Sequence, residues 1–261
     1  MKKLFLLLFL VNFSVYGQQN PSALSHKKAI IVLTYDDALM SQLNIAIPQL
    51  DSTHLNGTFF LTGNITDQTL AGWRNAFKHG NELANHTLYH PCLITDGKGN
   101  PANNSANYTV YTILREIAMM NNFLRAIDNE KTHTYAYPCT ESKVGGINYI
   151  DSLRKSGIVK YARMGGDQNA VITDYSKLDP LWVPSWAVVG KITGDDLINF
   201  VKKVQKDGGM GVFMFHGVGG DYLTTSAQAH RELLNYLDKH RDEIWVATFK
   251  QAMDYVTGVK Q

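Results

Sequence analysis

Five side chains that can move protons or hold a metal ion lie at the ends of apolar runs in this sequence. Asp36 and Asp37 are adjacent and close the run AIIVLTY. His86 and His90 are four residues apart, and His216 closes the run MGVFMFHG. Two charges buried at a strand end are costly unless something compensates them. We therefore expect a cation opposite Asp36 and Asp37.

One aspartate and two histidines form a ligand set that suits a catalytic metal ion. In a helical turn, the spacing of His86 and His90 would put both imidazoles on one face. With Asp37 they supply three protein ligands, which leaves positions for water and substrate, as in catalytic rather than structural sites. Zinc is the predicted ion, with cobalt and nickel as alternatives, because imidazole and carboxylate bind all three.

The adjacency of Asp36 and Asp37 has a geometric consequence. Neighbouring side chains of a regular strand point to opposite faces. Both carboxylates can enter one site only if the chain leaves its pleat between them. The adjacency also argues against a glycosidase with two carboxylates, which lie about 5 Å or more apart on opposite sides of the sugar bond.

The elements that must position these residues follow an alternating β/α order. Apolar runs of strand length alternate with helical patterns about seven times, which predicts parallel strands with helical crossovers. For about 244 residues this order favours a closed or nearly closed barrel, and an open doubly wound sheet is the alternative. A barrel would bring the carboxyl ends of its strands to one mouth. The predicted strands are AIIVLTY, GTFFLTG, ELANHT, THTYAYP, VKYARM, LWVPSW, MGVFMFHG and IWVAT.

Composition and the N-terminal segment limit the class of protein. Residues 1–17 have the charged start, apolar run and small residues of a secretory signal peptide, so we expect a secreted or periplasmic protein with one domain over 18–261. The net charge is +2 and no further Lys/Arg run follows, which makes nucleic acid a poor partner. No other segment is long and apolar enough for a membrane span. Cys92 and Cys139 form a disulfide or remain two thiols. The sequence carries no signal for the oligomeric state.

Three segments of the sequence resemble motifs of a known family. TYDDALM, HTLYHP and FMFHGVG are similar to the first, second and fifth motifs of the NodB-homology polysaccharide deacetylases, carbohydrate esterase family 4. The resemblance implies a single domain with a deformed (β/α)7-type barrel and metal-dependent removal of N- or O-acetyl groups from a polysaccharide or oligosaccharide. By position it implies Asp36 as general base, His216 as general acid, Asp37, His86 and His90 as metal ligands, and the backbone N–H of Cys139 as oxyanion donor. Tyr89, Pro138 and Trp186 are the predicted contacts to the acetylated carbohydrate.

The sequence departs from the family pattern at two places. Ala136 stands where the third motif has an arginine that orients the base, and no carboxylate lies between Trp182 and Trp186, where the fourth motif has an aspartate that tunes the acid. These departures motivate an alternative function: a catalytically weak carbohydrate-binding or scaffold protein with the same fold. A metal-dependent amidohydrolase acting on a non-sugar amide ranks last.

Overall fold

Strands and helices alternate along residues 27–258, the part of the chain that this computed structural model describes. The strands are β1 (Ala29–Asp36), β2 (Thr58–Leu61), β3 (Glu82–Asn85), β4 (Tyr135–Ala136), β5 (Lys143–Val144), β6 (Ile147–Asn148), β7 (Ala162–Arg163), β8 (Val171–Ile172), β9 (Trp186–Ala187), β10 (Gly209–Phe215) and β11 (Ile244–Ala247). The helices are α1 (Ile47–Ser52), α2 (Asp67–Lys78), α3 (Val110–Asp128), α4 (Ile150–Ser156), α5 (Gly194–Asp207), α6 (Ala227–Lys239) and α7 (Phe249–Val256).

A nine-stranded sheet forms the centre of the fold. Its order is β7-β4-β3-β2-β1-β10-β8, while β11 also pairs with β1 and β9 with β10. All of these pairs are parallel except β10 with β8. Parallel neighbours joined by helical crossovers agree with the predicted β/α order.

The segment that contains β9 connects the two ends of this sheet. Val183 pairs with Arg163 of β7, and three residues later Trp186 pairs with Phe213 of β10. The sheet therefore curls round on itself, which confirms the deformed (β/α)7-type barrel and excludes the open doubly wound alternative.

The alternation of β1 decides which residues enter the barrel. Leu33 and Tyr35 pack in a core that includes helix residues, whereas Val32 packs with inward residues of other strands such as Phe60. Side chains two positions apart share a face of a strand. Asp36, four positions after Val32, therefore points into the barrel at its carboxyl end.

Several short elements between Pro138 and Val188 escaped the prediction. They are the β5–β6 hairpin, helix α4 and strand β8. Each strand here has two residues and α4 has seven, so no window is long enough to show a period. The predicted strand LWVPSW is reduced to one paired residue, Val183, and the short strand β9.

The cysteines are joined, and the predicted signal peptide is outside the described residues. Cys92 and Cys139 form a disulfide with a Cα–Cα distance of 5.7 Å. The signal peptide prediction concerns residues 1–17, which the structure does not describe. Within residues 27–258, no helix combines the length and the apolar character that crossing a bilayer requires.

Candidate active site

The chain leaves its pleat at the end of β1, as the adjacent carboxylates require. Asp36 is the last residue of β1, and Asp37 has a positive φ of 82°. This turn lets both side chains face His86, whose Nε2 lies 3.7 Å from Asp36 Oδ2 and 3.5 Å from Asp37 Oδ1, and both are buried, with exposures of 2% and 5%. Residues held in sparsely populated backbone regions often mark functional sites.

His86 and His90 come together through a turn and not through a helix. The side chain of Asn85 accepts a hydrogen bond from the N–H of Thr87 at 2.8 Å, and Thr87 Oγ1 accepts one from the N–H of His90 at 3.0 Å. The four-residue spacing therefore acts through a turn after β3 and not through a helix. The turn still places the two Nε2 atoms 3.1 Å apart.

Asp37, His86 and His90 present three donor atoms with the spacing of a metal site. Asp37 Oδ1 lies 3.5 Å from His86 Nε2 and 3.4 Å from His90 Nε2. Ligand atoms bound at about 2.0–2.2 Å to one ion, with angles of about 95–110°, are themselves about 3.0–3.6 Å apart. The residues therefore fit a divalent cation, and they form one of the groups within residues 27–258 that could hold one.

Hydrogen bonds orient two of these three side chains. His86 Nδ1 donates to the carbonyl oxygen of Ala136 at 2.9 Å, so Nε2 is the ring nitrogen that faces Asp37 and His90. Tyr222 donates its hydroxyl to Asp37 Oδ2 at 2.5 Å, so Oδ1 is the oxygen that faces the histidines. Burial and the neighbouring His86 lower the pKa of His90 to about 4, which keeps its ring neutral near pH 7.

Arg163 compensates the negative charge of Asp36. Its Nη2 lies 2.5 Å from Asp36 Oδ2, and the two side chains are 1% and 3% exposed. Burial raises the pKa of Asp36, but Arg163, His86 and His216 together hold it below its usual value, so the carboxylate is charged. Asp36 Oδ1 is buried without a hydrogen-bond partner among the described residues.

His216 follows the end of β10 and faces Asp37. Its Nε2 lies 3.8 Å from Asp37 Oδ2, and its buried Nδ1 has no hydrogen-bond partner within residues 27–258. No carboxylate from the fourth-motif region therefore bonds this ring. Gln42 fixes the backbone here, because its Nε2 donates to the carbonyl oxygens of Asp36 at 2.6 Å and His216 at 3.0 Å.

The backbone after β4 approaches the site from the side of His90. Cys139 has a positive φ of 51°, and the next two N–H groups, of Thr140 and Glu141, bond back to Tyr137 and Pro138. The N–H of Cys139 takes no part in these turn bonds. The disulfide ties this turn to Cys92, two residues after His90.

The three predicted carbohydrate contacts occupy different environments. Tyr89 is 61% exposed next to His90, and Pro138 is buried beside Cys139. Trp186 is only 5% exposed, with its ring 5.2 Å from Phe200 and 5.7 Å from Phe213 between centroids. This corrects the prediction for Trp186, whose indole packs in the core because it lies on the outward face of β9.

Two further histidines, outside the motifs, are buried inside the molecule. His230 is fully buried, with hydrogen bonds to Tyr35 Oη and Gln49 Oε1, each 2.7 Å long. His133 is also buried, and its Nε2 lies 3.1 Å from Asp128. Both are partners in internal hydrogen bonds.

Sequence reasoning missed Arg163, Gln42 and the role of Tyr222 at the site. The only signal for Arg163 was a charged residue in the strand pattern VKYARM. Tyr222 is one of several aromatic residues near a strand end, and Gln42 lies in a segment with no motif. Their partners are more than 100 residues away in most cases, which the sequence alone does not specify.

Comparisons with solved structures agree with the fold. A family 4 acetyl xylan esterase from Clostridium thermocellum in complex with a cobalt ion is similar with a TM-score of 0.57 and 19% identity, and the alignment covers 88% of this chain and 93% of that chain. The peptidoglycan deacetylase PdaC from Bacillus subtilis has a TM-score of 0.54 and 19% identity, with 92% of this chain and 94% of that chain covered. BA3943, a CE4 family pseudoenzyme from Bacillus anthracis, has a TM-score of 0.55 and 17% identity, with 88% of this chain and 66% of that chain covered. At these identities the likeness establishes the fold.

The family itself follows from the sequence comparison. No curated protein matches the chain. The polysaccharide deacetylase family model matches residues 23–153, half of the chain, a range that contains Asp36, Asp37, His86, His90 and Cys139. With the curled parallel sheet and the convergence of these residues at its mouth, the match shows that this chain belongs to the polysaccharide deacetylase family.

Proposed function

We propose that this protein is a secreted, divalent-metal-dependent carbohydrate deacetylase that hydrolyses N- or O-acetyl groups of a polysaccharide or oligosaccharide. Family membership supports the class of reaction. The observation that carries the proposal is the arrangement at the mouth of the barrel. Three donor atoms converge there, and beside them lies a charged carboxylate with one oxygen that has no hydrogen-bond partner within residues 27–258.

The proposed reaction adds water to the acetyl carbonyl and breaks the bond from that carbon to the sugar nitrogen or oxygen. The products are acetate and the free amine or hydroxyl. A divalent cation held by Asp37, His86 and His90 would supply a Lewis acid that polarises the carbonyl and lowers the pKa of the attacking water. Zinc is the ion we propose, because imidazole and carboxylate ligands in a set of three suit it.

The side chains of this protein supply the proton transfers. Asp36 Oδ1 has no protein partner among the described residues, so it can accept the proton that the attacking water loses. His216 then gives a proton to the departing amine or alkoxide. The N–H of Cys139, which takes no part in the hydrogen bonds of its turn, is the proposed donor to the oxyanion that forms on the carbonyl oxygen. Tyr89, exposed beside His90, and Pro138 are the proposed carbohydrate contacts.

Two independent features support secretion. Residues 1–17 carry the pattern of a signal peptide. The Cys92–Cys139 disulfide is typical of proteins that reach an oxidising compartment.

Acetate release from acetylated xylan, chitin oligomers and peptidoglycan, with and without a chelator, tests the proposal. We expect activity on at least one of these substrates, loss of activity with chelator, and recovery when zinc is restored. Asp36→Asn should abolish acetate release while the metal stays bound. Asp51→Asn, at a partly exposed carboxylate on α1, is the matched control and should retain full activity.

Two results would argue against the proposal. If Asp36→Asn kept wild-type activity, Asp36 would not be the base. If the protein bound these carbohydrates but released no acetate with zinc present, the alternative of a carbohydrate-binding or scaffold protein would be preferred.

A further inference from the structure

Arg163 and Ala136 occupy the same level of two neighbouring strands. Strands β4 and β7 are parallel, and their register pairs Ala136 with Arg163. Ala136 packs with inward residues of the barrel, and its register partner therefore also points inward. Adjacent strands lie about 4.8 Å apart. A long side chain that starts from β7 can therefore bring its guanidinium to a place that a side chain on β4 could also reach.

The Arg163 guanidinium is held in place on several sides. Its Nη1 donates to Ser185 Oγ at 3.3 Å, and Ser185 Oγ donates to the carbonyl oxygen of Met164 at 2.8 Å. The guanidinium carbon lies 5.0 Å from the centre of the Phe60 ring. Ser185 belongs to the segment between Trp182 and Trp186, where the sequence lacks the expected carboxylate.

The contact with Asp36 engages only one of its two oxygens. Nη2 reaches Oδ2, and Oδ1 keeps no protein partner within residues 27–258. An arginine that only neutralises a buried carboxylate often forms two parallel hydrogen bonds to it. The single contact fixes the plane of the carboxylate and leaves the other oxygen available.

We propose that Arg163 is the positioning residue of Asp36 and replaces, from the neighbouring strand, a cation that position 136 lacks. This inference rests on the proposed function, in which Asp36 Oδ1 is the proton acceptor. Ala136 is small, and its methyl group leaves the interior open for the Arg163 side chain to cross. Ser185 holds the far side of the guanidinium, so the two residues act as one support for the base.

The experiment transfers the guanidinium from position 163 on β7 to position 136 on β4. Three variants are compared with wild type: Arg163→Ala, Arg163→Lys, and the double variant Ala136→Arg/Arg163→Ala. For each we measure kcat and KM for acetate release, zinc affinity by calorimetry, melting temperature, and activity with added guanidinium at non-denaturing concentration. Crystal structures of the variants report where the Asp36 carboxylate points.

We expect Arg163→Ala to lose kcat by about 100-fold with little change in KM or zinc affinity, because a misplaced reacting group costs about that much. The double variant and added guanidinium should each recover part of the loss. Arg163→Lys should be intermediate, since a lysine keeps the charge but lacks the planar fork. A merely structural arginine would lower the melting temperature without recovery by either route.

Wild-type kcat in folded Arg163→Ala, or a folded, zinc-binding double variant no better than Arg163→Ala, would overturn the inference. If Arg163→Ala does not fold, the kinetics of Arg163→Lys test the inference instead. An unchanged kcat in Arg163→Lys overturns the inference, and a decrease in kcat of about tenfold or more at constant KM supports it. The crystal structures need no turnover. If wild type releases no acetate, an unmoved Asp36 carboxylate in the variants still overturns the positioning role, and a displaced carboxylate that returns in the double variant supports it.

Discussion

Replacing Tyr222 by phenylalanine removes one hydroxyl group from the proposed metal site and leaves the ring. The hydroxyl donates to Asp37 Oδ2 at 2.5 Å, and the ring centre lies 6.2 Å from that of His216. A hydrogen bond to a charged group contributes about 1.5–3 kcal/mol. Tyr222 is 53% exposed, so water replaces part of this interaction. We expect zinc affinity to fall about tenfold, the lower end of the range for outer-shell partners of metal ligands.

Isothermal titration calorimetry of the chelator-treated protein with zinc measures this effect. Tyr111→Phe is the matched control, because Tyr111 is 72% exposed on helix α3. The physical reason for the loss is that Asp37 without its partner turns between orientations, and only some of them direct Oδ1 toward the two histidines. Affinity in Tyr222→Phe that equals or exceeds wild type would refute this reasoning, and so would an equal loss in Tyr111→Phe.

The remaining predictions concern stability, zinc binding and carbohydrate binding. Cys92 and Cys139 are 47 residues apart in the sequence, and in terms of chain entropy their disulfide contributes about 4 kcal/mol to stability. The variant Cys92→Ser/Cys139→Ser should therefore unfold at a lower urea concentration and bind zinc more weakly. Unchanged zinc affinity would mean that the disulfide does not hold the turn that contains His90. Burial lowers the pKa of His230 from 6.5 to about 3, so the unfolded chain takes up a proton below about pH 6.5 that the folded protein does not. The free energy of unfolding should therefore decrease by about 1.4 kcal/mol for each unit by which the pH is lowered between those values. In urea unfolding from pH 6 to pH 4, His230→Leu should make this dependence of the unfolding free energy on pH weaker. Trp186→Ala should lower the free energy of unfolding by about 3–5 kcal/mol, whereas Tyr89→Ala should raise KM for the carbohydrate and leave the melting temperature unchanged.

Local patterns in the sequence predicted much of the site. The position of Asp36 at the end of an apolar run indicated the mouth of the barrel, and the adjacency of Asp37 required the break in the pleat that its φ shows. His230 was also within reach of such reasoning. It lies on α6 three and seven residues before Leu233 and Leu237, a spacing that puts all three on the buried face.

Contacts between distant strands were beyond sequence reasoning. The pairing of Arg163 with Asp36 depends on the register of β4 and β7, which have two residues each and no periodicity of their own. Trp186 was misplaced for a related reason. Near the end of so short a strand, one residue of register decides whether a side chain faces the mouth or the helices.

Gln42 limits how the mouth can adapt to ligands of different shape. Its one carboxamide nitrogen donates to backbone carbonyls at the ends of both β1 and β10, so these two strand ends cannot spread without breaking one of the two hydrogen bonds. Shape tolerance for a bulky or branched chain must then come from the surrounding loops, such as residues 93–109 and 217–225. Among homologues, the range of ligand shapes that each protein binds should accordingly vary with the lengths of those loops, while the strand ends beneath them stay fixed.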